Sequence, residues 1–237
     1  MREMMKAAPH RRAAEQLPLA FEHGTASGRD DLLVSDRLAT AVALIDSWPD
    51  WPSPVVILAG PAGSGKSHLA RIWAEQAQAT PIDPVKGKHA ARVAAEGPVL
   101  LEDADRSGFD EVELFHVINS VREHGTSLLM TSRTWPLSWP VALADLRSRL
   151  KAATLVEIGS PDEALLFQVI VKLFADRQLN IDDKIVDYIV KRMERSCAAA
   201  QEVVDRIDRL ALSRRTKITR GLAAEVLGEL YEPDGTE

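Results

Sequence analysis

Short apolar runs alternate with helically spaced apolar positions through the first two thirds of the chain. Three of these runs are rich in leucine or β-branched residues and end in polar or glycine-rich segments, as buried parallel strands do. They lie at 55–59, 99–101 and 127–130. Apolar residues at helical spacing precede the first run at 38–45 and separate the others. The alternation predicts an α/β fold with a parallel sheet flanked by helices.

After Ile158 the pattern changes to helices alone. Ser160-Pro161-Asp162-Glu163 has the form of a capping box with proline at the first helical position, followed by an apolar face. Three further segments with helical periodicity follow, at 185–193, 203–210 and 222–230. The carboxyl-terminal third is therefore predicted to be a small helical bundle that acts as a lid.

These patterns divide the chain into three parts. Residues 1–30 have no sustained period and are predicted to form a flexible amino-terminal arm. Residues 31–159 form the predicted α/β subdomain, and residues 160–237 form the predicted lid.

Composition and charge narrow the class of protein. Hydrophobic residues make up 46% and charged residues 27% of the 237 positions, which is typical of a globular protein. The net charge of −6 gives no reason to expect nucleic acid as the main ligand. A single cysteine, Cys197, fits a reducing compartment. Because charged residues interrupt the amino-terminal region and no apolar run approaches about 20 residues, we expect a cytoplasmic protein without signal peptide or membrane span.

A phosphate-binding loop lies directly after the first strand. The sequence of residues 60–67 matches GxxxxGK[ST] in full, between a buried strand and a helix. In such a loop the backbone N–H groups surround a phosphate, Lys66 reaches the outer phosphates and the Ser67 hydroxyl can bind Mg²⁺. We expect ADP or ATP as the ligand. The predicted nucleotide-binding residues are Gly60, Pro61, Ala62, Gly63, Ser64, Gly65, Lys66, Ser67 and His68.

An acidic pair ends the second strand. Enzymes with this loop use a carboxylate on a neighbouring strand to hold Mg²⁺ or the attacking water. The usual order is Asp then Glu, whereas here Glu102 precedes Asp103. We assign Glu102 to the metal, together with Ser67, and Asp103 to the water. Because both carboxylates then differ in length from the usual ones, we expect weak intrinsic ATP hydrolysis at most. The alternative is that the pair has no role at the nucleotide and is only the polar end of the strand.

The order of motifs resembles the DnaA/Hda family of AAA+ proteins over about residues 31–230. Besides the phosphate loop, residues 129–136 (Leu-Met-Thr-Ser-Arg-Thr-Trp-Pro) are similar to the family's LTSDRYP segment, and residues 145–150 (Asp-Leu-Arg-Ser-Arg-Leu) to its LKSRF box. The last two segments are far more specific than the loop. The resemblance implies an AAA+ domain with a carboxyl-terminal helical lid.

The family resemblance assigns a role to Arg149. The arginine of the family's SR pair is an arginine finger, which enters a neighbour's nucleotide site and stabilises charge on the transferred phosphoryl group. The match carries this role to Arg149, with Arg147 as the second choice. The alternative is that Arg149 only solvates the end of its helix.

Two positions depart from the family pattern. Ala198 stands where the family has a sensor arginine in the lid, unless Arg195, one turn earlier, substitutes for it. Arg133 stands where the family has an aspartate. Together with the inverted acidic pair, these changes favour a chain that holds a nucleotide such as ADP over one that turns ATP over.

A short apolar motif lies in the amino-terminal arm. Residues 16–21 (Gln-Leu-Pro-Leu-Ala-Phe) resemble a known motif of bacterial replication proteins, QxxLxF. These proteins use the motif to bind the sliding clamp, which is the beta subunit of the DNA polymerase. Gln16 would make polar contacts, and an apolar pocket would receive Leu17, Leu19 and Phe21. The alternative is that the segment packs on its own domain.

The resemblance implies a negative regulator of DNA replication initiation. Such a protein binds ADP, docks on the sliding clamp and stimulates ATP hydrolysis by DnaA. We expect no sequence-specific DNA binding, because the initiators' helix-turn-helix segment has no counterpart here. A homo-oligomer is a further possible assembly. The alternatives are an AAA+ adaptor or helicase loader, and an autonomous P-loop ATPase.

Overall fold

The computed structural model describes Leu33 and residues 36–83, 89–106 and 108–231. Helices and strands alternate up to residue 157, and helices alone follow. In chain order the elements are α1 (Asp36–Asp46), β1 (Val55–Ala59), α2 (Lys66–Ala77), β2 (Thr80–Pro81), α3 (Ala90–Glu96), β3 (Val99–Leu101), α4 (Glu111–His124), β4 (Leu128–Ser132), a 3₁₀ turn (Pro136–Ser138), α5 (Ala144–Lys151), β5 (Thr154–Glu157), α6 (Glu163–Asp176), α7 (Asp183–Val190), α8 (Cys197–Arg214) and α9 (Arg220–Tyr231).

The five strands form one parallel sheet in the order β2-β3-β4-β1-β5. The central strand β1 lies between β4 and β5, with Ile57 opposite Met130 on one side and Leu155 on the other. All five residues of β1 are buried. The predicted α/β fold with a parallel sheet is confirmed. The edge strands β2 and β5 were not predicted, because β2 has only two residues and β5 is only partly buried.

Each face of the sheet is covered by helices. Val56 and Leu58 of β1 point into a cluster that includes residues of α1 and α2, whereas Val55 and Ile57 point into a second cluster with residues of α3, α4 and α5. Trp73 is fully buried in the first cluster, where its ring stacks on Trp51 at 5.1 Å between centroids. The alternation of side chains along β1 therefore supplies both cores.

Helices α6 to α9 pack around their own apolar cluster, which includes Leu166 and Phe174. The predicted capping box places the start of α6 too early. Asp162 is the N-cap, and its carboxylate accepts a hydrogen bond from the Leu165 N–H at 2.8 Å. A carboxylate at Asp162 is a strong N-cap, so the helix begins two residues after Pro161. Among the described residues, no helix is long and apolar enough to cross a membrane.

The lid core provides a test of this packing. Leu166 is fully buried, whereas Leu212 on α8 is 63% exposed. We expect Leu166→Ala to lower the free energy of unfolding by about 2–5 kcal/mol, because the substitution leaves a cavity in a packed core. Leu212→Ala makes the same chemical change at the surface and should stay within about 0.5 kcal/mol of wild type. Urea denaturation followed by circular dichroism measures both; equal losses would contradict the assigned packing.

Candidate nucleotide site

The phosphate loop joins the central strand to α2. Gly63 and Gly65 adopt φ values of +68° and +98°, in the left-handed region that favours glycine. The helix begins immediately afterwards at Lys66. The first N–H groups of a helix have no acceptor within the helix, so this turn presents donors and a positive dipole end to an anion. The backbone geometry is that of a phosphate site.

Lys66 is held inside the loop. Only 5% of the residue is exposed, and its Nζ donates to the carbonyl oxygens of Gly60 and Pro61, both at 2.7 Å. Burial lowers the pKa of Lys66, the charges of Asp103 and Asp105 oppose this shift, and the charge of Arg133 adds to it. These three charged residues therefore share the electrostatic environment of the lysine.

The two acidic residues after β3 point to different surroundings. Glu102 is exposed and lines a cavity of about 380 Å³ beside β2, together with Pro81, Ile82, Asp83, Leu100 and Leu101. Asp103 has a φ of +47°, and its backbone N–H donates to Thr131 Oγ1 of β4 at 2.9 Å. Asp103, and not Glu102, is among the charges that act on Lys66. The structure thus brings one carboxylate of the predicted pair to the phosphate loop.

Arg133 lies between these acidic groups. Its Nε is 3.7 Å from Asp103 Oδ1. The carboxylate of Asp105 accepts hydrogen bonds from the backbone N–H groups of Arg133 and Thr134 at 3.1 Å. The segment after β3 is therefore attached to the end of β4, with the Arg133 guanidinium against the residue expected to activate water.

The lid contacts the phosphate loop through the start of α8. The Cys197 N–H donates to the Gly63 carbonyl oxygen at 2.9 Å. Ser196 is buried and caps α8, because its Oγ accepts from the Ala199 N–H at 3.0 Å. Sequence reasoning missed this contact, although a serine before Cys-Ala-Ala-Ala is a recognisable N-cap signal.

The two candidate sensor positions differ in their surroundings. Ala198 lies exposed in the first turn of α8, one residue after the contact with the phosphate loop. Arg195 pairs with Glu163 of α6 at 2.6 Å. The structure thus pairs Arg195 with the lid's own first helix, and Ala198 carries no charge.

Arg149 lies on α5, which packs through Leu146 and Leu150. Its half-buried side chain forms no hydrogen bond or ion pair with another described residue, whereas Arg147 donates to the Val141 carbonyl oxygen. Helix α5 ends just before β5, whose Thr154 lies beside Val56 near the start of β1. The phosphate loop follows the other end of β1. Arg149 is therefore near the amino-terminal end of the strands, opposite to the end that carries this chain's own phosphate loop.

Ser67 and His68 lie in the first turn of α2, with Ser67 exposed and His68 half-buried. No group of three or more His, Cys, Asp or Glu side chains able to hold a metal occurs among the described residues. The motif at 16–21 lies outside the described residues.

Several known proteins are similar to this chain. Residues 167–227 match the family described as the Hda lid domain. An uncharacterized protein of Haemophilus influenzae is 24% identical over 227 residues, which are 90% of this chain and 98% of that protein. The chromosomal replication initiator protein DnaA of Thermomicrobium roseum is 26% identical over 117 residues, 49% of this chain. The match spans only 25% of the length of that initiator.

Solved structures share the fold. Domain III of the Thermotoga maritima replication initiation protein DnaA superposes with a TM-score of 0.73 at 14% identity, covering 87% of this chain and 98% of that domain. A replication initiator DnaA bound to AMPPCP and single-stranded DNA superposes with a TM-score of 0.63 at 18% identity, covering 78% of this chain and 66% of that one.

The lid contact generates a prediction for Gly63→Ala. A Cβ at Gly63 would stand 2.3 Å from the Ser196 Cβ, on a backbone with positive φ. We expect the start of α8 to be displaced from the loop and the dissociation constant of a fluorescent ADP analogue to rise about tenfold, as roughly 1–3 kcal/mol of strain implies. Gly97→Ala, where a Cβ meets nothing within 4 Å, is the matched control. Equal affinity of the two variants would show that this contact does not support nucleotide binding.

Proposed function

We propose, from the premise that this chain is an Hda-like AAA+ protein, that it holds a nucleotide and inactivates the replication initiator DnaA by stimulating its ATP hydrolysis. The observation that carries the proposal is the position of Arg149. The residue has no side-chain partner among those described, and it lies near the end of the parallel strands opposite to the chain's own phosphate loop. Such an arginine can serve a nucleotide held by a second AAA+ protein.

The nucleotide site of the chain itself is the loop 60–67 with His68 beside it. Two glycines with positive φ, a buried lysine and a helix start provide the donors that phosphates need, and the DnaA structure bound to AMPPCP supports a nucleotide as the ligand. The Ser67 hydroxyl would hold Mg²⁺, and Asp103, the acidic residue of the pair 102–103 whose charge acts on Lys66, would face the attacking water. When bound, the metal neutralises charge on the phosphate oxygens.

We propose that the chain keeps its nucleotide, with ADP as the working ligand. The carboxylate expected to activate water, Asp103, is already paired with Arg133, whose Nε lies 3.7 Å from its Oδ1. Ala198 stands at the lid position where the family resemblance places a sensor arginine, so no lid arginine is available there to contact a γ-phosphate. Both features support slow turnover.

Arg149 would act on DnaA. In the hydrolysis of ATP, water forms a bond to the γ-phosphorus while the bond from that phosphorus to the β–γ bridging oxygen breaks, and negative charge builds on the departing ADP. A guanidinium placed against that charge stabilises the transition state, and such fingers contribute roughly 10³–10⁵ in rate. The match of this chain to DnaA relatives supports DnaA as the partner.

Residues 16–21 would recruit the chain to the sliding clamp. A short segment with Gln16 for polar contacts and Leu17, Leu19 and Phe21 for a pocket fits a small interface of modest affinity. Docking on clamps that encircle DNA would confine the activity to DNA that is being replicated. This DNA lies in the cytoplasm, where the chain is proposed to act. The proposed activity thus depends on two separate parts of the chain.

The role of Arg149 predicts the behaviour of Arg149→Ala. We expect wild type to accelerate ATP hydrolysis by purified DnaA in the presence of DNA-loaded clamp, and Arg149→Ala to lose this acceleration while binding ADP normally. Lys151→Ala removes a nearby charge from the same helix and should retain the activity. Release of labelled phosphate measures the rates. Wild type that binds nucleotide but leaves DnaA unchanged would contradict the proposal and favour a helicase loader or adaptor.

The amino-terminal motif gives a separate expectation. A variant with Gln16, Leu19 and Phe21 all changed to alanine should lose stimulation on clamp-loaded DNA, because it no longer reaches the clamp. Its affinity for ADP should equal that of wild type. Unchanged stimulation would remove the clamp from the proposal and leave the role of Arg149 intact.

The pair Arg133–Asp103 predicts a gain of activity. We expect Arg133→Ala to raise ATP turnover by the isolated chain at least tenfold, because positioned general bases contribute about 10²–10⁴ in rate and the variant frees Asp103 to act as one. Arg133→Lys keeps a positive charge and should stay close to wild type. Adding Asp103→Asn to Arg133→Ala should abolish the gain. A variant Arg133→Ala as slow as wild type would show that another feature limits turnover.

A further inference from the structure

An aromatic ring on the lid is flanked by two arginines. The guanidinium carbons of Arg192 and Arg220 lie 4.0 and 4.6 Å from the centre of the Tyr188 ring. Tyr188 lies in the last turn of α7, Arg192 follows the end of that helix, and Arg220 is the first residue of α9. Each cation gains from the negative face of the ring, but the ring also holds two like charges close together.

The start of α9 adds more positive charge at the same place. The amino end of a helix carries a partial positive charge and is usually stabilised by acidic side chains. The first turn of α9 has no acidic residue and begins with Arg220. The preceding loop contains two more exposed cations, Arg215 and Lys217. We call Arg192, Arg215, Lys217 and Arg220 the basic patch.

The nearby acidic residues do not neutralise the basic patch. None of its four cations forms an ion pair with a described residue, whereas carboxylates on α7, α8 and α9 are bound to other basic residues. These pairs are Asp187–Lys191, Glu202–Arg206, Asp205–Arg177 and Glu225–Arg214. In a chain with a net charge of −6, the patch is therefore a local concentration of uncompensated positive charge.

We propose that the basic patch binds the phosphate groups of duplex DNA. Guanidinium groups form paired hydrogen bonds with phosphate oxygens, helix N–H groups bind the same anions, and the exposed hydroxyl groups of Thr216 and Thr219 add donors. Several cations spread over a helix start and its loop match a polyanion with regularly spaced charges better than a single small anion. Phosphate contacts carry no sequence information, so this binding is non-specific.

The contact is independent of the proposed activity on DnaA, so it is measured with this chain alone. The experiment follows the anisotropy of a labelled duplex of about 20 base pairs while salt is varied between about 50 and about 200 mM. We expect wild type to bind with strong salt dependence. Arg192→Gln with Arg220→Gln should weaken binding at low salt at least tenfold and reduce the slope of log K against log salt by about two, since each phosphate contact contributes about 0.9.

The controls separate phosphate binding from general charge and from unfolding. Arg92→Gln with Arg122→Gln removes the same charge from α3 and α4 and should leave the affinity and slope unchanged. Thermal unfolding should show that both double variants remain folded, and both should bind the ADP analogue as wild type does. Absence of duplex binding by wild type, an unaltered salt slope in Arg192→Gln/Arg220→Gln, or equal displacement of the duplex by polyglutamate would each overturn the proposal.

Discussion

The burial of β1 is the constraint on which the rest of the structure depends. This strand has neighbours on both sides and helices on both faces, so each of its five residues is buried. Burying a side chain of the size of valine, isoleucine or leucine contributes about 1.5–3 kcal/mol, which makes the strand a rigid support. The phosphate loop begins directly at its end. The loop can therefore hold the left-handed backbone of Gly63 and Gly65 in one arrangement, because its two ends are fixed by β1 and α2.

The rigidity of the loop extends to the lid through a single glycine. Gly63 has no side chain, and the space is taken by Ser196, while the Gly63 carbonyl binds the first N–H of α8. The helical bundle has its own apolar core, so this polar contact adds little to its stability. The contact instead positions the lid, because it holds the start of α8, the longest described helix, against the phosphate loop.

Patterns in the sequence predicted the features that depend on local chemistry. A run of buried β-branched residues followed by GxxxxGK[ST] is sufficient to predict β1, the loop and α2, because strand, turn and helix start each have their own signal. The edge strand β2 gave no such signal, because two residues carry no periodicity. The start of α6 was predicted two residues early, since Ser160 and Asp162 are both good N-caps and only the bond from Leu165 decides between them.

Contacts between distant segments could not be predicted in this way. The sequence shows Glu102 and Asp103 as neighbours, but the positive φ of Asp103 and its bond to Thr131 send the two carboxylates into different surroundings. The pairing of Asp103 with Arg133 and of Arg195 with Glu163 likewise joins segments about 30 residues apart along the chain. Such pairs depend on the packing of β3 against β4 and of α6 near α8, and no local pattern encodes them.

The distribution of arginines connects these contacts to function. Arg133 and Arg195 are paired with carboxylates of their own chain, so their charges are partly compensated inside the fold. Arg149, Arg192 and Arg220 have no such partner among the described residues, and Arg220 in addition lies at the first position of α9, where the helix dipole opposes a cation. Such unpaired cations are available to anions of other molecules. Under the proposed function and the proposed DNA contact, similar side chains would serve two purposes, to limit the chain's own nucleotide chemistry and to reach phosphates held by other molecules.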